Sequence, residues 1–186
     1  HKNKMKLNYR IEAGKPYIIR HIAYQMDDLV IYDFIEKDSL NSYLRKDMPF
    51  DVLALDNERQ RITKLLQDNG YYKFNKDFIV YQADTVRNTY GVNLTMKLLP
   101  YQRRKEDTPT KHKQYTVRNV NFLAEENASL TDKNYTGYDS LHHKGLNIYY
   151  KDKAYLRPNT LANFNYIRPG ELYSDQDVQT TFTSMG

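Results

Sequence analysis

Apolar and polar side chains alternate along several short stretches of the chain, and a period of two residues predicts β-strands. Residues 17–24 read YIIRHIAY and residues 115–122 read YTVRNVNF, so tyrosine, a β-branched residue and arginine recur in the same order 98 positions later. A second pair of matching segments, Leu44–Asp51 and Ile167–Ser174, keeps the same chain order with an offset of 123. These matches predict two similar folding units that differ by insertions.

Alternation also precedes each copy of the repeat. Residues 5–11 carry an apolar side chain at every second position, and we expect them to form the last strand of a preceding unit, assigned to residues 1–14. Residues 92–98 alternate in the same way and should close the first complete unit, which is predicted to span residues 15–101. The strand at 17–24 and the strand at 92–98 are expected in one sheet.

The first complete unit also contains two helical patterns. A short helix is predicted from Ser39 to Lys46. A longer helix should begin at about Asp51 or Asp56 and end at Gly70, because glycine adopts the left-handed C-cap conformation without steric cost. The apolar stripe that should face the sheet consists of Leu55, Ile62, Leu65 and Leu66. A strand from Phe78 to Ala83 then gives the order strand, helix, helix, strand, strand.

The second unit is predicted to span residues 114–186, after a basic linker at 102–113. Residues 124–153 form an insertion, in which turn residues and a short apolar run predict a loop with an accessory strand or hairpin. A short helix should open at Pro158, and the spacing of Ser174 and Asp177 predicts a capping box at the start of another. This unit would lack its last two strands, so we expect the chain to be part of a longer array.

Composition narrows the function classes. The chain has 40% hydrophobic and 27% charged residues, as in a globular protein, and no cysteine, which excludes disulfides, zinc-thiolate sites and thiol nucleophiles. No apolar run approaches the roughly 20 residues of a membrane-spanning helix. The net charge of +5 permits an acidic partner without requiring one. The densest basic clusters, Arg103–Lys105 and Lys111–Lys113, flank a turn-rich stretch that predicts a solvated loop between the units.

Catalytic and metal-binding functions find little support in the sequence. It contains no G-x-S-x-G elbow, phosphate-binding loop or dinucleotide fingerprint. Adjacent His142 and His143 would point to opposite faces of an extended segment, so they do not make a joint metal site. The acidic pairs at 27–28 and 125–126 follow strand ends and are interpreted as solvated loop charges. No catalytic residue, metal site or cofactor is expected.

Two features of the sequence are compatible with nucleic-acid binding: the linker is basic, and the chain has 18 tyrosines, which could stack on bases. Packing or cross-strand pairing already explains the tyrosines at alternating strand positions, namely Tyr9, Tyr17, Tyr81 and Tyr115. The sequence also lacks an RNA-recognition consensus and a G-x-x-G loop. No nucleic-acid partner is expected.

Three segments resemble the POTRA domain. Residues 49–51 (Pro-Phe-Asp), the amphipathic helix and residues 70–72 (Gly-Tyr-Tyr) follow the POTRA pattern, in which a helix ends in Gly-Tyr-Phe or a similar triplet before the second strand. Residues 12–17 are similar to the Glu-Gly-x-x-Tyr junction between POTRA domains, with Ala13 interposed. Residues 168–174 are similar to the signature that introduces the second helix. The chain therefore resembles the POTRA regions of outer-membrane assembly proteins of the BamA and TamA type.

This resemblance implies an α+β fold of tandem POTRA-like units (β-α-α-β-β), each with a three-stranded mixed sheet packed by two helices. It implies a periplasmic location, with attachment to the outer membrane through a C-terminal barrel that this chain does not include. The implied partners are unfolded outer-membrane protein segments or accessory assembly subunits, bound by β-augmentation during assembly or translocation. The expected client-binding edge strand consists of Phe78, Ile79, Val80, Tyr81, Gln82 and Ala83. The alternative is a structural spacer that docks partner subunits without binding clients.

Overall fold

The computed structural model describes residues 5–12, 14–87, 89–102, 104, 106–124, 135, 137–154 and 156–185. Its first half contains β1 (Ile18–Gln25), α1 (Leu29–Lys37), α2 (Val52–Gln67), β2 (Ile79–Val86) and β3 (Gly91–Leu98). Its second half contains β4 (Val120–Leu123), β5 (Asp139–His143), β6 (Leu146–Tyr150), α3 (Pro158–Phe164) and α4 (Asp175–Met185). We refer to these two sets of elements as the first and second units.

The first sheet has the strand order β1-β3-β2, with β3 parallel to β1 and antiparallel to β2. The prediction that the strands at 17–24 and 92–98 share one sheet is confirmed. Both helices cover the same core, whose buried residues include Ile31, Ile35, Ile62, Leu66, Ile79 and Met96. The first unit thus has the element order β-α-α-β-β.

The first helix lies earlier in the chain than predicted. α1 follows Asp28, whose carboxylate accepts hydrogen bonds from amides of the first turn. Ile31 and Ile35 lie one turn apart and are buried. The predicted helix at 39–46 was wrong, since only residues 39–41 form a short 3-10 turn. The missed signal was Asp28, which looked like a loop charge but is a helix cap ahead of an apolar run.

The prediction of α2 is confirmed except for one stripe position. The helix begins after its cap Asp51, and the chain turns at Gly70, which has a φ of +94°. Three stripe residues are buried, namely Leu55, Ile62 and Leu66. Leu65 is only half-buried and belongs to neither hydrophobic cluster of the first unit. The buried position on this face is instead held by Glu58, which is 1% exposed.

The strand predicted at residues 5–11, assigned to a preceding unit, has no pairing partner among the described residues and stays a prediction. Residues 5–12 have no regular secondary structure, and the exposed apolar side chains are Met5, Leu7, Tyr9 and Ile11. Alternation indicates a strand only where a neighbouring strand supplies hydrogen bonds, and none of the described residues pairs with this segment.

The second sheet has the order β4-β6-β5, with β4 parallel and β5 antiparallel to β6. The β5–β6 hairpin lies inside the insertion at 124–153, where an accessory strand or hairpin was predicted. Two three-stranded mixed sheets, each with two helices, confirm the predicted fold class. In the second unit the hairpin precedes α3 and α4, so the described order is β-β-β-α-α. Residues 125–134, which include one predicted pair of loop acids, lie outside the described residues.

The β-bridges show the repeat at the level of single residues. Ile18 pairs antiparallel with Pro49, and Thr116 pairs antiparallel with Leu172. Pro49 and Leu172 are 123 positions apart, which is the offset read from the sequence. The second repeat match is therefore confirmed. The first repeat match, residues 17–24 and 115–122, is only partly strand. In its second copy only the last residues belong to a strand, β4, and the leading residues pair with the turn before α4.

Each unit also ties its longer helix to the loop before it by one equivalent contact. The amide of Tyr43 donates to the Glu58 carboxylate at 2.8 Å, and the amide of Tyr166 donates to the Thr181 hydroxyl oxygen at 2.9 Å. Both acceptors are buried, with 1% of Glu58 and 5% of Thr181 exposed. Donors and acceptors are each 123 positions apart. We call this contact the helix clamp.

Candidate functional site

β2 is an edge strand, because only one of its sides is paired, to β3. It extends over Ile79–Val86, three residues beyond the predicted end at Ala83. Phe78 was wrongly placed on this strand. It ends a 3-10 turn (Lys76–Phe78), and its ring packs against Phe74 with centroids 5.7 Å apart. The structure therefore brings five of the six predicted site residues together on one open edge.

The backbone groups that β2 presents to solvent follow from its register. The amide of Leu99 donates to the carbonyl of Phe78 at 2.8 Å, so this pair is of the hydrogen-bonded type. Hydrogen-bonded pairs alternate along an antiparallel ladder, and the register continues without a shift over the whole strand. The backbone amides and carbonyls of the even-numbered residues of β2 therefore bond to β3. The outward carbonyls are those of Ile79, Tyr81, Ala83 and Thr85. The Ile79 amide already donates to the carbonyl of Lys76, so the outward amides that another strand could use are those of Tyr81, Ala83 and Thr85.

The side chains of the outward residues divide the edge into an anchored part and an open part. Ile79 is 2% exposed, and the Tyr81 ring packs against both hydrophobic clusters with the Arg59 guanidinium 5.3 Å from its centroid. Burial, followed by the charge of Glu58, raises the pKa of the Tyr81 phenol. From Gln82 to Thr85 the side chains are exposed. Sequence alternation missed Thr85 because this end of the strand extends past the helices that impose alternation.

β2 carries one exposed charged side chain, Asp84, but lacks the other features that usually protect a sheet edge. Edge strands are commonly blocked by lysine, proline, a bulge or very short length. β2 has eight residues, contains neither lysine nor proline, and pairs without a bulge. It is therefore a regular backbone surface that can accept another strand.

The other sheet edges are shorter or partly covered. The start of β1 is bonded on its outer side, where Ile19 donates to the carbonyl of Met48 at 2.9 Å, and β1 carries a register shift just beyond this point. β4 has four residues and β5 has five.

On β5, a ring nitrogen of His142 lies 3.0 Å from the side-chain oxygen of Asn147. The described residues contain no cluster of three or more potential metal ligands.

The segment predicted as a solvated linker folds back onto the first unit. Tyr101 and Thr110 form an antiparallel bridge with hydrogen bonds of 2.8 and 2.9 Å. His112 Nε2 donates to the carbonyl of Leu99 at 2.9 Å, and its ring lies 4.7 Å from that of Phe78. Burial lowers the pKa of His112. Two of the predicted basic residues, at positions 103 and 105, lie outside the described residues.

Comparisons with known proteins bear on the fold. No family model and no curated protein matches the sequence. The structure is similar to the crystal structure of POTRA domains 3–5 of BamA from Haemophilus influenzae, with a TM-score of 0.50 and 12% identity over 91% of this chain and 49% of that one. The chain thus spans about half the length of that structure. The N-terminal domain of Omp85 from Thermosynechococcus elongatus aligns at 11% identity over 93% of this chain and 86% of that one, but its TM-score of 0.26 is too low to carry an argument.

Among the described residues, no helix has the length and apolar character needed to span a bilayer.

The similarity to the BamA domains covers both units, and at this identity it bears on architecture alone. Two mixed three-stranded sheets with paired helices, repeated along the chain, agree with it. The fold of this chain is therefore POTRA-like.

Proposed function

We propose that this chain is a periplasmic region of an outer-membrane β-barrel protein, and that the open edge of β2 binds extended polypeptides by strand addition. The partners would be unfolded outer-membrane protein segments or accessory subunits of outer-membrane assembly. The POTRA-like fold supports the setting, because the similar solved structure belongs to BamA. The observation that carries the proposal is the open eight-residue edge of β2.

Strand addition suits a binder of many different chains. The contact consists of backbone hydrogen bonds, which are independent of the partner's side chains. About five such bonds at about 1 kcal/mol net each give roughly 5 kcal/mol before ordering costs, which corresponds to a contact in the millimolar range. Several linked units would raise the overall affinity through effective concentration. A weak and sequence-tolerant site can hold an unfolded chain and then release it.

The experiment uses proline at an outward position of β2. Tyr81 has an outward amide, but its ring belongs to the core. Ala83 has both an outward amide and an exposed side chain, so Ala83→Pro removes one donor with little effect on packing. Ala83→Ser keeps the amide and serves as the matched control. The probe is a synthetic peptide from a transmembrane strand of an outer-membrane β-barrel, titrated against the whole chain by fluorescence anisotropy.

We expect Ala83→Pro to weaken peptide binding by about fivefold or more, as the loss of about 1 kcal/mol predicts, while Ala83→Ser binds as the parent does. Circular dichroism must first show that both variants are folded. If folded Ala83→Pro binds as tightly as the parent, strand addition at β2 is wrong. If the parent does not bind the peptide at millimolar concentration, the spacer that docks partner subunits becomes the better account.

A further inference from the structure

We propose that residues 68–72 form a joint that holds the two units at a fixed angle. These residues directly follow α2 of the first unit. They contact α4 of the second unit and the segments that form its Thr116–Leu172 β-bridge. This inference is independent of the function proposed for β2. It concerns the orientation of the units, which a solvated linker would leave free.

Three hydrogen bonds cross the joint from consecutive residues of the first unit. The carboxylate of Asp68 accepts from the amide of Gln176 in the first turn of α4 at 2.7 Å. The carbonyl of Asn69 accepts from the side chain of Gln114 at 2.8 Å. The carbonyl of Gly70 accepts from the amide of Tyr115 at 2.8 Å. Three consecutive residues are thus bonded to two separate segments of the second unit, residues 114–115 and the first turn of α4, and two separated attachments resist rotation about either one.

Aromatic packing reinforces these bonds. The Tyr72 ring meets the rings of Tyr115 and Tyr173 edge-on, with centroid distances of 6.1 and 4.8 Å. Such pairs add stabilisation beyond their buried area. The ammonium group of Lys73 lies 5.2 Å from the centroid of the Tyr115 ring. Burial and a hydrogen bond to Asp175 raise the pKa of Tyr173 to about 12, so the phenol of Tyr173 stays protonated around pH 7.

Close approach at Gly70 shows how tightly the joint fits. A Cβ atom at this position would lie 3.1 Å from a methyl group of Leu172 and 3.3 Å from the Gln114 side chain. The positive φ of Gly70 also disfavours other residues. The glycine that ends α2 therefore also permits the second unit to approach the first.

The linker contributes a second contact zone on the first unit. His112 seats on the rings of Phe74 and Phe78, at centroid distances of 4.9 and 4.7 Å, only two residues before the joint contact of Gln114. A free linker of twelve residues, as predicted for 102–113, would have an end-to-end distance that varies on a scale of roughly 20 Å. With both zones formed, the distance between the units should instead vary by only a few ångströms.

Distance distributions between two spin labels test the proposal. The chain has no cysteine, so Glu36→Cys on α1 and Ser140→Cys on β5 place one label on each unit, both at exposed positions. Tyr72→Ala removes the central ring of the joint. Tyr90→Ala is the matched control, because Tyr90 is a half-exposed tyrosine paired with Tyr17 inside the first unit at 5.7 Å.

We expect one narrow distribution for the parent chain and the control, and a severalfold broader one for Tyr72→Ala. If Tyr72→Ala fails to fold, Asp68→Ala combined with Gln114→Ala removes two of the crossing hydrogen bonds outside both cores and should broaden the distribution as well. A parent distribution as broad as a free linker gives would overturn the proposal. So would a narrow distribution that persists in the folded joint variants.

Discussion

In the first unit, Ile62 of α2 is completely buried against the sheet. In the second unit, Met185 holds the corresponding position of α4, 123 residues later, and is 38% exposed. Phe182, one turn earlier on α4, is 71% exposed. Both units have the helix clamp, so the orientation of the helix does not explain the difference in burial.

Sheet length explains it better. β2 and β3 have eight residues each, whereas β5 and β6 have five each. Eight residues extend roughly 26 Å and five roughly 16 Å, so the second sheet covers less of its helices. In this comparison the clamp and the β-bridge are common to both units, whereas the longer sheet accompanies the deeper burial of the helix.

A large effect is expected at the clamp of the first unit. Glu58 accepts from Ser42, from the Tyr43 amide and from Arg61, so Glu58→Ala leaves the Tyr43 amide without its acceptor and removes one of the two carboxylates that pair with Arg61, the other being Asp38. An unsatisfied amide and a weakened, largely buried ion pair together should cost about 2 to 4 kcal/mol. Thr181→Val leaves the Tyr166 amide without its acceptor and should cost about 1 to 3 kcal/mol. Urea unfolding followed by circular dichroism measures both, and equal costs would show that the clamps are energetically alike.

Alanine substitutions in the apolar stripe should also cost more stability on α2 of the first unit than on α4 of the second. Ile62→Ala, and likewise Leu66→Ala, should lower the free energy of unfolding by about 2 to 5 kcal/mol, because both side chains are fully buried. Met185→Ala should cost less than about 1 kcal/mol. Denaturation midpoints compared at constant m-value give the result. A large cost at Met185 would mean that the second helix is covered in solution.

A smaller, pH-dependent effect is expected where the linker meets the first unit. Because burial lowers the pKa of His112 below the roughly 6.5 of an unfolded chain, the unfolded state binds more protons as the pH falls. The stability that neutral His112 contributes is thus present above about pH 6.5 and is lost as the pH falls below that value towards the lowered pKa of the folded state. His112→Gln should flatten this part of the stability profile. If the free energy of unfolding changes equally with pH in the parent and the variant, His112 is not buried against Phe74 and Phe78 as described.

Sequence patterns predicted the parts that local physics decides. The repeat offset, the strands β1 and β3, and α2 with its cap and glycine all follow from periodicity and capping preferences. The short helix was misplaced because the cap at Asp28 was interpreted as a loop charge. The buried Glu58 was missed because a carboxylate breaks an apolar stripe, and only the fold supplies its partners.

The candidate edge shows the same limit. Alternation located most of β2, but the outward direction of Ala83 depends on its pairing with β3, which no local pattern contains. The tyrosine joint likewise brings Tyr72 together with Tyr115 and Tyr173 across long sequence distances. Short-range patterns could suggest strands for these residues but could not bring them together.

The amides of β2 give the most direct test of strand addition. Nuclear magnetic resonance of the whole chain, titrated with the β-barrel peptide, reports each backbone amide separately. We predict that the outward amides of Tyr81, Ala83 and Thr85 shift and become protected from solvent exchange. The amide of Ile79, bonded to the Lys76 carbonyl, and those of Val80, Gln82 and Asp84, already bonded to β3, should change little. Peptide binding that leaves the outward amides unprotected would contradict the account.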